Sequence, residues 1–368
     1  MSENKMGKKI LIQVPSPFAA NNAIFEQDAN NMTEPWRVLK ARLNSLGYEV
    51  LTADNNSLED CEWLLFIDSL SLYGTAQRGG FKNFARRISN KIFKVKDKNP
   101  WPNRPLYEEA MARGMENRMA LFLWEGAVVS PYNYMPKTWK KFNRIFTWKD
   151  DLVDNKKFFK FYLPTPTQNG IVKPLPFAQK KLLVNISANK WYPGENELFS
   201  ARVRTSLYFD RHYPNDFDHF GARWHTAVTR WQKYFPALIP KFTTYRGKSG
   251  NKMETLSKYK FSLCYENVSD NKGYITEKIF DILQAKSVPV YWGAPNIEEY
   301  VPSTAFVDRR KFINDEALAK YLKNVSEENY EKMVEAGQKY LETENCKKFF
   351  SEYFAKRVIE VLNITRKN

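Results

Sequence analysis

Short, nearly unbroken apolar runs alternate with amphipathic stretches of helical period along this chain. Lys9-Ile-Leu-Ile-Gln-Val14 reads as a buried first strand. Thr33–Gly47 reads as a helix, with Thr33 as N-cap, Pro35 in the first turn and Gly47 as the stop. Tyr48–Thr52, Trp63–Ile67, Met119–Trp124 and Arg144–Trp148 follow as strands. Apolar strands of this kind, separated by helices, predict a parallel sheet covered on both faces.

A stretch dense in proline and polar residues, Leu163–Gly170 with Pro174-Leu-Pro176, predicts a domain boundary. Beyond it a second alternation begins with the strand Lys181–Ser187 and a helix around Glu197–Tyr208. The strand Lys260–Cys264, the helix Thr276–Lys286, the strand Val288–Tyr291 and a candidate last strand Ala305–Val307 continue it. Amphipathic helices over Asp315–Asn324 and Glu327–Thr343 lead into a basic helix, Cys346–Leu362. The predicted class is α/β, with two Rossmann-like, doubly wound domains facing a cleft. Their spans are 1–162 and 163–345, with the basic helical segment 346–368 after them. A nucleotide belongs beyond the carboxyl ends of the second domain's strands.

Composition narrows the partners. The chain has 368 residues, 43% of them hydrophobic and 15% aromatic, enough to bury two cores and to exclude global disorder. Lys and Arg number 57 against 41 Asp and Glu, a formal charge of +16 that favours anionic partners. A lysine-rich solvated face explains the same excess. Cys61, Cys264 and Cys346 stand far apart, and the first two adjoin apolar runs, so buried free thiols are expected rather than disulfides or zinc. No export signal opens the chain, and no apolar run approaches the roughly 20 residues that span a bilayer. A cytoplasmic protein is expected, with peripheral contact at the inner face of the membrane through its basic surface. On that reading the Asn-x-Ser/Thr triplets at Asn185, Asn324 and Asn363 are chance.

The chemistry concentrates in Phe261–Phe280 and Val288–Gly293: a strand, a polar loop with a glycine, a capped helix and a second strand. Such a unit presents backbone N–H groups and a lysine to a phosphate. Thr276 is placed to cap the helix, Glu277 to take a hydroxyl pair such as a ribose diol, and Lys278 to meet phosphates. By itself the triplet also describes an ordinary capped helix; the flanking strands turn the balance. Asp216-Phe-Asp218 has the Asp-x-Asp form that binds a metal and a sugar diphosphate elsewhere, but the pattern is common by chance. His212, His219 and His225 match no metal spacing. No metal site is predicted.

Cys264-Tyr-Glu-Asn267, Gly273–Ile279 and Val288-Pro-Val-Tyr-Trp-Gly293 together closely resemble the signature of the α-1,3/4-fucosyltransferase family. The resemblance implies the two-domain GT-B architecture and an inverting transfer of L-fucose from GDP-β-L-fucose. The implied acceptor is an N-acetylglucosamine hydroxyl of a lactosamine-type glycan, giving a Lewis-type product. It implies no required cofactor, with a divalent cation as stimulant at most. Asn267, Tyr274, Glu277 and Lys278 resemble the donor-contacting set, with Glu277 on the ribose and Lys278 on the diphosphate. Thr276 opens that helix, and Tyr291, Trp292 and Gly293 form the adjoining wall. Ser200-Ala-Arg-Val-Arg204 resembles the arginine segment, with Arg202 and Arg204 as competing partners of the diphosphate. Phe122–Glu125 followed by Ser130-Pro131 resembles the acceptor-side motif, and makes Glu125, directly after a strand, the candidate general base. Many relatives carry a glutamate immediately before the Ser-Pro pair; Val129 stands there in this chain.

Two other readings compete. A transferase of another GDP-sugar fits any residues that contact GDP alone. A nucleic-acid-binding protein requires basic residues interleaved with exposed aromatics. Lys137–Arg144 and Asn155–Phe161 are the stretches singled out, and both serve equally as amphipathic or membrane-facing segments. No nucleic-acid partner is predicted.

Overall fold

A computed structural model describes residues 8–28, 31–73, 104–166, 173, 175–192 and 194–366. The chain forms two compact units, Met1–Tyr162 with Phe350–Asn368, and Leu163–Phe349. In the first unit β1 (Lys9–Gln13), β2 (Glu49–Thr52), β3 (Cys61–Ile67), β4 (Met119–Leu123), β5 (Arg144–Thr147) and β6 (Phe158–Lys160) form one sheet in the order β2-β1-β3-β4-β5-β6. Every pairing is parallel. Both faces of the central strands are covered, which is why β3 and β4 read as continuous apolar runs: Leu64, Leu65, Phe66, Leu121, Phe122 and Leu123 have no exposed surface.

Three local expectations need correction. Thr33 precedes the Glu34–Ser45 helix but makes no side-chain cap; its hydroxyl donates to the Glu26 carbonyl instead. Asn155–Phe161, expected as an amphipathic or membrane-facing segment, contains the edge strand β6. Trp139, from the other basic stretch, packs edge-on against Phe158 at 5.3 Å, so both stretches are taken up by the fold. The single helix expected from Cys346 to Leu362 is two, Glu344–Lys347 and Ser351–Val361, separated by extended backbone at Phe350. The first lies in the second unit and the other in the first.

Ser351–Val361 packs along the Glu34–Ser45 helix. Phe354 meets Trp36 at 5.3 Å, and Trp36 meets Phe122 of β4 at 5.5 Å, both edge-on. The exposed Arg42–Glu352 ion pair adds little beside that burial.

The second unit repeats the plan. β7 (Lys181–Ile186), β8 (Phe217–Phe220), β9 (Tyr259–Tyr265), β10 (Val288–Trp292) and β11 (Val307–Asp308) are parallel in the order β11-β10-β9-β7-β8. The direction of winding reverses between β7 and β9, the point beyond whose carboxyl ends open α/β sheets bind ligands. The Glu277–Gln284 helix joins β9 to β10 and buries Ile279, Phe280, Ile282 and Leu283. All three cysteines are buried and free, as expected.

Phe354→Ala should destabilise the first unit by about 3–5 kcal/mol, the usual cost of emptying a buried aromatic site. Arg42→Ala should cost less than about 1 kcal/mol. Denaturant unfolding of the two variants measures both.

Candidate active site

Glu266, the residue after β9, has no exposed surface and was not singled out from sequence. Its carboxylate accepts from the Thr276 backbone N–H at 2.9 Å and the Thr276 hydroxyl at 2.8 Å. Lys278 Nζ donates to it at 3.0 Å and to Thr276 Oγ1 at 2.8 Å. Thr276 therefore does not cap the helix as expected; its hydroxyl is turned onto Glu266 instead. Burial opposes charge on Lys278, yet Glu266 and Glu277 outweigh it and push the ammonium pKa up. Burial likewise acts against the Glu277 carboxylate, while Lys278 and Lys252 outweigh it and hold its pKa low. Both groups are ionised near neutral pH and partly exposed, at 26% for Lys278 and 27% for Glu277.

The surrounding residues fix this cluster. Arg202 is buried and donates to the Tyr265 carbonyl at 2.8 Å, the Glu266 carbonyl at 2.7 Å and Asn267 Oδ1 at 3.1 Å. Asn267 donates in turn to the Tyr274 hydroxyl at 3.2 Å. The structure thus brings Arg202, Asn267, Tyr274, Thr276, Glu277 and Lys278 around the end of β9. Arg204, two residues along the helix, is exposed, so it does not share Arg202's setting. Tyr291 is buried and its hydroxyl accepts from the Ala294 N–H at 3.0 Å, a turn contact rather than an open side chain. Trp292 lies edge-on to Tyr265 at 5.5 Å. Gly293 is required by packing: a Cβ there would stand 2.5 Å from Glu266 Cγ and 2.6 Å from the Tyr291 hydroxyl.

The Asp-x-Asp pair holds no open ligand set. Asp218 is buried, accepting from Lys181 at 2.6 Å, Arg246 at 2.7 Å and Tyr259 at 2.7 Å. His219 is buried between Trp224 and Phe242, and burial lowers its pKa to about 3. Among the described residues no His, Cys, Asp or Glu group is arranged to hold a metal ion.

In the first unit Glu125 follows β4 and is partly buried. Asp68, at the end of the neighbouring β3, was missed by sequence reasoning. Asp68 Oδ1 accepts from the Trp124 N–H at 2.8 Å, the Glu125 N–H at 3.0 Å and Asn133 Nδ2 at 2.6 Å. Asn133 and Tyr134 donate to the Glu125 carbonyl at 3.0 and 3.3 Å. Asp68 thus anchors the backbone that carries Glu125. Sequence alone offered only an acidic residue at a strand's end, a signal that many solvated turns share.

Two parallel sheets with this strand order and helices on them are the fold of the GT-B glycosyltransferases. A solved α1,3-fucosyltransferase with GDP superposes with a TM-score of 0.52 over 99% of this chain and 92% of its own, at 15% identity. Residues 223–360, which run from just after β8 into the Ser351–Val361 helix, match Glycosyltransferase family 10 (fucosyltransferase) C-term. The chain is 41% identical over 73 residues to an alpha-(1,3)-fucosyltransferase of Helicobacter pylori, covering 20% of this chain and 15% of that one. It is 43% identical over 81 residues to the 4-galactosyl-N-acetylglucosaminide 3-alpha-L-fucosyltransferase 9 of Mus musculus, 22% of each. The matched stretch is thus a quarter or less of either relative's length.

Burial, reinforced by the Glu125 charge, raises the Asp68 pKa from 3.8 to about 7. A folded-state value above the unfolded one means that the stabilisation is complete below about pH 4 and is lost as pH rises through about 7. A shift of this size corresponds to about 4 kcal/mol across that window. Asp68→Asn, which can keep the acceptor at Oδ1, should flatten the decline in stability between about pH 4 and pH 7. Urea unfolding at a series of pH values tests this; identical slopes in both proteins would show that Asp68 does not titrate there.

Proposed function

We propose that this protein is an inverting α-1,3-fucosyltransferase that moves L-fucose from GDP-β-L-fucose to an N-acetylglucosamine hydroxyl of a lactosamine-type glycan. The observation that carries the reading is the buried Glu266 carboxylate holding Thr276 and Lys278 at the helix start, beyond the sheet's switch point. The family match encloses these residues, and the acceptor follows the name of the murine relative.

In this mechanism Lys278 and the N-terminus of its helix receive the diphosphate, where they stabilise charge arriving on the leaving GDP. Glu277 takes the ribose diol. Asn267 and Tyr274 contact the donor, and Trp292 and Gly293 border it. Arg202 acts by holding the end of β9 and by its positive charge, and the exposed Arg204 remains its competitor for the diphosphate. Glu125 accepts the proton of the acceptor hydroxyl as its oxygen bonds to the anomeric carbon. The bond from that carbon to GDP breaks with its electrons on the diphosphate, so the configuration inverts. The chemistry needs no cofactor.

Incubation with GDP-fucose and N-acetyllactosamine, following GDP release and product linkage, tests the proposal. Lys278→Ala should raise the KM for GDP-fucose by roughly ten- to a hundred-fold, the effect of losing a charge-assisted phosphate contact. Glu125→Gln should lower kcat by roughly a hundred- to ten-thousand-fold and leave GDP affinity nearly unchanged. Substantial turnover by Glu125→Gln would remove the base assignment, and turnover with a different GDP-sugar alone would reassign the donor.

A further inference from the structure

Between Asp218 and Glu254 the chain has no acidic residue, while Arg223, Arg230, Lys233, Lys241, Arg246, Lys248 and Lys252 all fall there. Arg246 and Lys252 are paired with the buried Asp218 and Asp281. Among the described residues the other five make no ion pair, so their charge faces outward.

The same segment leaves β8, an edge strand, at the carboxyl end of the second sheet. It is closed at its base: Gly221 N–H donates to the Gly247 carbonyl at 2.8 Å, and the Tyr245 hydroxyl to the Gly221 carbonyl at 2.7 Å. Trp224 and Phe242 are its inward anchors, packed edge-on to each other at 5.3 Å and against His219. A reciprocal capping box between Thr229 and Gln232 orders the turn Arg230–Tyr234. With the inner face so filled, the next apolar residues point out. Trp231 is 70% exposed, Tyr234 66%, Phe235 54% and Leu238 57%. Trp231 and Phe235 stack on each other at 6.2 Å, leaving both rings at the surface.

We propose that the 230–241 turn is a docking surface for an anionic lipid bilayer. Trp and Tyr favour the bilayer interface, Phe and Leu gain by entering it, and a ring of unpaired lysine and arginine is drawn to anionic headgroups. Side chains exposed by more than half project rather than line a groove. That suits a lipid surface better than a nucleic-acid strand, which calls for a basic channel with stacking platforms. The peripheral membrane contact expected of the basic surface is thereby assigned to this turn. The inference does not depend on the donor, because it is tested without nucleotide.

The test is co-sedimentation of the full chain with vesicles of equal parts phosphatidylglycerol and phosphatidylcholine, against pure phosphatidylcholine. The intact protein should partition at least about ten-fold more strongly to the anionic vesicles, and less as salt is raised. Trp231→Ser with Phe235→Ser and Leu238→Ser should lose about ten-fold or more, as should Arg230→Gln with Lys233→Gln and Lys241→Gln, with thermal midpoints unchanged. In the unaltered protein, anionic vesicles should slow amide exchange over 230–241. Absence of vesicle binding, undiminished binding by either triple variant, or exchange protection elsewhere alone would overturn the proposal. So would self-association abolished by the serine variant, or oligonucleotide binding in place of vesicle binding.

Discussion

A carboxylate without solvent is costly unless charged and hydrogen-bonding partners surround it, and Glu266 is such a group. Its partners come from one short stretch, the Thr276 N–H and hydroxyl and the Lys278 ammonium. Meeting its needs fixes where the Glu277–Gln284 helix starts relative to β9. It also diverts Thr276 from capping. Gly293 is small because Glu266 lies against it, and Arg202 clamps the carbonyls on either side of the same bend. The site's geometry follows from one buried charge and the groups it recruits.

That arrangement also limits the site's positive charge. Arg202 and Lys278 are matched in number by Glu266 and Glu277, so the cluster does not attract anions by net charge. A phosphate would be received by direction instead, by a lysine already aimed and by N–H groups at the helix start. In the first unit, Asp68 has a related part. One carboxylate oxygen collects two backbone N–H groups and an amide, and sets the path of the chain through Glu125.

The alternation of apolar runs made most strands legible, because burial on both faces of a parallel sheet leaves a continuous signature. The Asp315–Asn324 helix matches the span its amphipathic period implies; its cap, Asn314 accepting from the Ala317 N–H, appears only in the structure. Thr276, Glu277 and Lys278 could be picked out together because a helix start is a local pattern, though the turn of Thr276 onto Glu266 was not visible there. Glu266 itself was not legible, since a glutamate after an apolar run reads as the strand's solvated end, and its partners lie 10 and 12 residues on. β6 is three residues long and half-buried, too short for periodicity to register. The return of Ser351–Val361 to the first unit rests on contacts such as Arg42 with Glu352, 310 positions apart, which no local pattern carries. The outward direction of the aromatics at 231–238 follows from the filled inner face beneath them, which is likewise absent from any local pattern.

The most direct test of the account is GDP binding by calorimetry to the intact protein and to Glu266→Gln, at a temperature where circular dichroism shows both folded. The neutral amide keeps the shape but cannot draw Lys278 and the helix start into place. The account predicts that GDP affinity falls by about ten-fold or more, a loss of about 1.4 kcal/mol or greater. Equal affinity in the two folded proteins would contradict it.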